Sequence, residues 1–203
     1  MPSQMKSNTA NILLVALIAG TLGLVASFIV DGPGPVLRTE LGQRALQVLL
    51  ARSAPKPPAG TVVASRGERV PTMVLSALDG SQITLPSVYA GRPVLINLWA
   101  TWCGPCIKEM PELQRFSSQQ TSNGVQVVGI AIDEAEAVRD FLLRTPVTYP
   151  IFLHSPGPSD PGVRLGNPNG VLPYSVLVSA DGRLLKQRIG PFAHGEINSW
   201  ATP

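Results

Sequence analysis

Two cysteines, Cys103 and Cys106, stand two residues apart and are the only ones in the chain. A pair at this spacing can cycle between dithiol and disulfide, supply half of a metal site, or form a fixed crosslink. A fixed crosslink closing so short a loop would contribute little loop-closure entropy to stability. A zinc site would need two more ligands, and His154 and His194, the only histidines, lack metal-type spacing. Redox chemistry fits the surroundings better. The run Val94-Leu95-Ile96-Asn97-Leu98-Trp99 leads into the pair, and a helix is expected from Pro105 to Ser118. Cys103 then sits at a helix N-terminus, where unpaired N–H groups and the positive end of the dipole stabilise an anion. Such a position lowers a thiol pKa from about 8.5 into a range of about 3.5 to 7.5 and makes Cys103 the nucleophile. Cys106, one turn later on the same side, can resolve a mixed disulfide. Trp102 offers an apolar surface beside the pair, and Pro105 suits a first helical turn that needs no N–H donor.

The elements that must hold this pair follow from periodicity. Val125 to Ile132 reads as a second buried strand, followed by Asp133 as an N-cap and a helix through Val138, Phe141 and Leu142 that Pro146 stops. A right-handed crossover makes the two buried strands parallel neighbours. Asp79-Gly80 and Asp181-Gly182 mark two hairpins, Tyr149 to Leu153 a short strand, and a Pro/Gly-rich loop runs to Gly170. Any closing helix must fit between Phe192 and Ala201.

Upstream, Ile12 to Val30 is nineteen residues without a charge, nearly enough helix to cross a hydrocarbon core of about 30 Å. It is expected to be an uncleaved transmembrane anchor, because the apolar run outlasts a signal-peptide core. Residues 1–11 would form a short cytoplasmic N-terminus. Residues 31–60 would form an amphipathic juxtamembrane segment and a Pro-rich linker, and residues 61–203 the folded domain. The composition, 44% hydrophobic and 14% charged, agrees with one stretch outside water. Residues 1–69 carry seven Lys/Arg against three Asp/Glu, whereas residues 70–203 carry nine against ten, so the net charge of +3 is a property of the N-terminal part. No basic run is interleaved with aromatics, which argues against nucleic acid as a partner. A redox pair is most useful in an oxidising compartment, which places the domain on the periplasmic or extracytoplasmic side of the inner membrane.

The segment from Asn97 to Cys106, with Pro111 five residues beyond, resembles thioredoxin. Together with the N-terminal apolar stretch, Leu78-Asp79-Gly80 and Gly190-Pro191, it resembles more closely the TlpA/ResA-like membrane-anchored thiol-disulfide oxidoreductases over about residues 70 to 197. The resemblance implies an α/β thioredoxin-like fold, a mixed central sheet flanked by helices, with an added N-terminal β-hairpin. It implies a cis proline at Pro173, after Leu172, that helps to seat a substrate chain together with Trp102, Gly104 and Pro105. It also implies a tuning role for Glu109, three residues after Cys106. Two positions depart from pattern: Asn97 stands where thioredoxins have a buried aspartate, and Tyr174-Ser175 where relatives serving cytochrome c maturation often have an acid. The implied activity is reduction of disulfides in extracytoplasmic proteins, with cytochrome c and copper-centre maturation among the possible settings. The chain has no flavin or nicotinamide fingerprint, so no cofactor is expected and electrons would come from a transmembrane thiol reductase. Gly104-Pro105 is the thioredoxin dipeptide, and thioredoxin lies at about −270 mV against about −120 mV for a strong oxidant, which points to a potential below about −200 mV. The alternatives are a copper-handling module using both thiolates and a histidine, a thiol oxidase, and a peroxidase, for which the Pro/Thr surroundings of a peroxide-reactive cysteine are missing.

Overall fold

A computed structural model describes residues 11–16, 18–21 and 34–202. About half of the expected membrane span at residues 12–30 lies outside the described residues, and among those described no helix is long and apolar enough to cross a membrane. The chain divides into two units at Leu46 and Gln47. In the first, helix α1 (Gly34–Arg38) gives way to α2 (Glu40–Ser53), which crosses the boundary. Thr39 separates them: its hydroxyl bonds the Val36 carbonyl and accepts the Gly42 N–H. The second unit begins with the end of α2, which is tied to later segments by a bond from Gln47 to the Gln187 carbonyl and one from Asn169 to the Leu50 carbonyl.

Seven strands form one mixed sheet in the order β2-β1-β5-β4-β3-β6-β7. β1 (Met73–Ala77) and β2 (Gln82–Leu85) make the N-terminal hairpin, turning at Gly80, whose φ of +88° suits glycine. β3 (Val94–Trp99), fully buried, lies parallel to β4 (Gln126–Ile132), and β4 lies parallel to β5 (Ile151–His154). β6 (Tyr174–Val178) and β7 (Leu184–Ile189) complete the other edge, antiparallel. The buried strands are thus central, as near-continuous apolar runs require.

Alternation along the strands divides the core in two. Leu95, Trp99, Val127, Ala131 and Leu177 face the side covered by α3 (Gly104–Ser118), α4 (Ala135–Arg144) and the short α6 (Glu196–Trp200). Ile96, Leu98, Val128, Ile130 and Val176 face the other, where Leu165, Val70 and Ala64 close the layer.

Two expectations need correction. Asp133 is not the N-cap of α4: Glu134 occupies that position and makes no side-chain capping bond, because the Asp133 carboxylate is turned toward Thr101. The loop before Gly170 contains a helical turn, α5 (Pro161–Arg164), capped by Asp160 through the Val163 N–H. Its four residues are too few to show a helical period in the sequence.

Candidate active site

α3 starts where β3 ends, and Cys103 occupies its N-cap in an extended conformation. The Cys103 sulfur accepts the Cys106 N–H at 3.3 Å, the interaction by which a helix N-terminus stabilises a thiolate. The two cysteines are joined in a disulfide with Cα atoms 5.3 Å apart. Cys106 is fully buried and Cys103 reaches the surface at 5% exposure, so only the first is open to an external sulfur. Gly104 and Pro105 form the first turn. Trp102 stands 71% exposed next to the pair, an unusual position for so large an apolar surface.

The turn that delivers the cysteines is fastened from β4. Asp133 accepts the Thr101 N–H at 2.9 Å and the Thr101 hydroxyl at 2.6 Å. Burial pushes this carboxyl up, but the bonds from Thr101 and the Glu134 N–H outweigh it and hold the carboxyl below its usual range. Pro173 follows a cis peptide bond from Leu172, as the resemblance implied. Leu172 packs on the apolar cluster that contains both cysteines. It also shares with Trp102, Ile132, Asp133, Glu134 and Pro156 the wall of a cavity of about 360 Å³. A cavity of about 410 Å³ at the opposite end of the sheet, beside Arg69, Tyr89 and Arg92, includes none of the expected site residues.

Beneath the disulfide lies Glu109, 2% exposed and one turn after Cys106 on the buried side of α3. Its Oε1 accepts the Asn97 side-chain amide at 2.8 Å, and its Oε2 accepts the Phe192 N–H at 3.0 Å. The same Asn97 nitrogen donates to the Ser175 hydroxyl at 3.0 Å. Burial pushes the Glu109 carboxyl up to about 7, against the smaller lowering effects of Phe192, Asn97 and the Arg188 charge. The carboxyl can therefore take and release a proton near neutral pH.

The sequence marks Asn97 and Ser175 as departures from the family pattern but does not show that they meet each other and Glu109. A polar residue inside each of two otherwise apolar strands was the available signal. The histidines do not join the cysteines: His154 bonds its neighbour's carbonyl, and His194 lies 2.6 Å from Glu112. Among the described residues, no group of three or more His, Cys, Asp and Glu side chains could hold a metal ion.

Residues 65–201 match the Redoxin family. The chain belongs to that family. Thiol-disulfide oxidoreductase ResA of Bacillus anthracis is 32% identical over 127 residues, 61% of this chain and 69% of that protein. Sporulation thiol-disulfide oxidoreductase A of Bacillus subtilis is 28% identical over 131 residues, 63% of this chain and 76% of that protein. Among solved structures, a thioredoxin-related protein from Neisseria meningitidis serogroup B superposes with a TM-score of 0.52 at 35% identity, covering 63% of this chain and 91% of that one. The Redoxin domain here has a thioredoxin-like α/β fold with a mixed sheet. With a cysteine pair at disulfide distance and relatives that are thiol-disulfide oxidoreductases, it is a thiol-disulfide oxidoreductase.

Proposed function

We propose that this oxidoreductase is an extracytoplasmic reductase of protein disulfides, anchored through residues 12–30 and recharged by a transmembrane thiol reductase. The observation that carries the reading is the pairing of a surface-reaching Cys103 at the α3 N-terminus with a buried Cys106 one turn from Glu109, whose carboxyl is pushed up to about 7. In the reduced protein, the Cys103 thiolate attacks one sulfur of a target disulfide. The S–S bond of the target breaks, a mixed disulfide forms, and the departing target thiolate takes a proton from solvent. Glu109 then accepts the Cys106 proton, and the Cys106 thiolate attacks the Cys103 sulfur. That second exchange releases the other target sulfur as a thiolate, which is protonated in turn. Two electrons and two protons pass to the target, and the Cys103–Cys106 disulfide remains for the membrane donor to reduce.

Trp102, Gly104, Pro105, Leu172 and Pro173 form the surface against which the target chain is held, with the cavity between Trp102 and Leu172 as room for a side chain. The nineteen uncharged residues from Ile12 support the anchor, and the ease with which large domains translocate supports the outward orientation. Targets in cytochrome c or copper-centre maturation are compatible with this chemistry.

Cys106→Ser should leave Cys103 able to attack but not to escape, so mixed disulfides with target proteins accumulate in cells. A membrane-impermeant maleimide applied to intact cells beforehand should abolish the trapping. Equal capture by Cys103→Ser would refute the assigned roles, and trapping that survives the maleimide until lysis would refute the orientation.

A further inference from the structure

The strand register lines up a row of positions across the sheet on the α3 side. Gly129 pairs with Asn97, Asn97 with Ser175, and Ser175 with Arg188. Glu109 closes on this row from α3 through Asn97. Arg188 is the charged member of this row, and the exchange chemistry gives it no part. It is 1% exposed, although it lies on an edge strand where a guanidinium could readily reach water. Burying a cation is costly unless it is paired and hydrogen-bonded. Arg188 is both: its two terminal nitrogens grip the Glu196 carboxylate at 2.7 and 3.0 Å, and one also donates to the Pro191 carbonyl at 3.0 Å. Its guanidinium carbon lies 4.7 Å from the centroid of the Phe192 ring. Glu196 in turn accepts the Ala193 N–H at 2.8 Å. Pro191, Phe192 and Ala193 are thus each fastened by Arg188 or Glu196, and the middle residue aims its N–H at Glu109.

We propose that Arg188 and Glu196 are positioning residues, a paired brace that holds the Phe192 N–H and a partly compensated positive charge against Glu109, and so sets the pH at which Glu109 loses its proton. The inference rests on the proton role of Glu109 only for its consequence in exchange. The other groups facing Glu109 leave the brace as the adjustable part. From α3 comes Cys106, from β3 and β6 the uncharged Asn97 and Ser175, and from the turn before β5 Tyr149. Burial, and then the Glu109 charge, push the Tyr149 phenol up, so it stays neutral in the working range. The two things that the brace presents to Glu109 act in one direction. The Phe192 N–H and the Arg188 charge favour the carboxylate and oppose burial.

The test follows the Glu109 carboxyl stretch by infrared titration of the full chain in detergent, assigned by its loss in Glu109→Gln, with the pH profile of exchange recorded on the same samples. Arg188→Met removes the cation and frees the loop, so the Glu109 midpoint should rise by about one pH unit or more. Glu196→Gln leaves the cation uncompensated, so the midpoint should fall, by about half a unit. Arg188→Lys, which keeps the charge without the fork, should lie between Arg188→Met and the unmodified chain. A core that was merely loosened and wetted would bring every variant down toward an ordinary carboxyl, so opposite shifts separate the brace from general damage. Should Arg188→Met fail to fold, Glu196→Gln and Arg188→Lys carry the comparison. Midpoints that do not move, or that all fall together, overturn the brace. Midpoints that move as expected while the exchange profile stays fixed support the brace and overturn the proton role of Glu109.

Discussion

Neighbouring residues on β3 face two different interiors. Ile96 and Leu98 enter a layer that is apolar apart from groups serving nearby backbone: Asp160 accepts the N–H groups of Gly157 and Val163, Asn167 exchanges bonds with Val171, and the Tyr174 hydroxyl donates to the Leu165 carbonyl. Asn97 enters the layer beneath the cysteines, where polar side chains bond one another between β3, α3 and β6 and, through Arg188 and Glu196, between β7 and α6. On the far side, polar groups, including Gln187 of β7 and Tyr174 of β6, fasten the backbone of the loop around α5. On the cysteine side, they surround an ionisable carboxyl with partners distant in sequence. In a low-dielectric interior such a network is costly wherever a group stays unpaired, as Arg188 Nε does, and around Glu109 its bonds partly offset the rise in proton affinity that burial causes. One face of the sheet therefore supplies stability, and the other spends some of it on chemistry.

The sharpest way to break this contrast is to substitute adjacent residues of β3. Ile96→Ala, at a position with no exposure, should destabilise the domain by about 2 to 5 kcal/mol in urea unfolding. The pH profile of thiol-disulfide exchange should keep its midpoint. A shifted midpoint would mean that the two layers are not separable and that packing on the far face governs Glu109.

Glu109→Gln should produce the opposite pattern. In the folded protein the carboxyl is pushed from 4.5 up to about 7, so the fold retains a proton that the unfolded chain has released. Stability from this group is complete below pH 4.5 and falls as pH rises through about 7. At about 1.36 kcal/mol per pH unit, the loss amounts to about 3 kcal/mol. Unfolding free energy measured between pH 4 and pH 8 should therefore slope downward in the unmodified chain and lose that slope in the variant, while exchange near neutral pH slows. A slope that persists in Glu109→Gln would assign it to another group.

The contrast was only half legible in the sequence. The apolar runs of β3 and β4, the two Asp-Gly turns and the helix opening at the cysteines are local patterns, and each element formed within a residue or so of its expected bounds. The cis bond at Pro173 followed the family resemblance rather than any local signal, and the resemblance implied a tuning role for Glu109 but not its burial. What could not be read was which polar residues meet. Asp133 looks like an N-cap because that is what an aspartate before a helix usually does, and only the parallel pairing of β3 with β4 offers it Thr101 instead. Arg188, in the stretch Leu184-Leu185-Lys186-Gln187-Arg188, reads as one more cation on an edge strand. Its burial depends on Glu196, which a turn and a helix start bring back to it.

The smallest effect tests how far the polar layer reaches the sulfurs. Asn97 gives one hydrogen to Glu109 and one to Ser175, and Asn97→Asp removes both donors. Two carboxyl oxygens would then stand where the amide nitrogen and Oε1 are now 2.8 Å apart. They cannot both ionise there, so the pair should share a proton and titrate with two apparent values, one below and one above that of Glu109 alone. Near neutral pH, where Glu109 alone is only partly ionised, the proton-sharing pair holds one full negative charge beneath the α3 N-terminus, and this added charge disfavours the Cys103 thiolate. Destabilising the thiolate destabilises the reduced state, which makes the pair more reducing, by about 30 mV if the interaction is worth about 1.4 kcal/mol. Equilibration of the full chain with glutathione buffers would measure the change. The unmodified chain should already lie on the reducing side of about −200 mV, and a value near −120 mV would make it an oxidase rather than a reductase. If Asn97→Asp alters the carboxyl titration but leaves the potential in place, the layer governs proton transfer without tuning the disulfide. If it moves the potential toward the oxidant, the negative charge is acting on some group other than the thiolate.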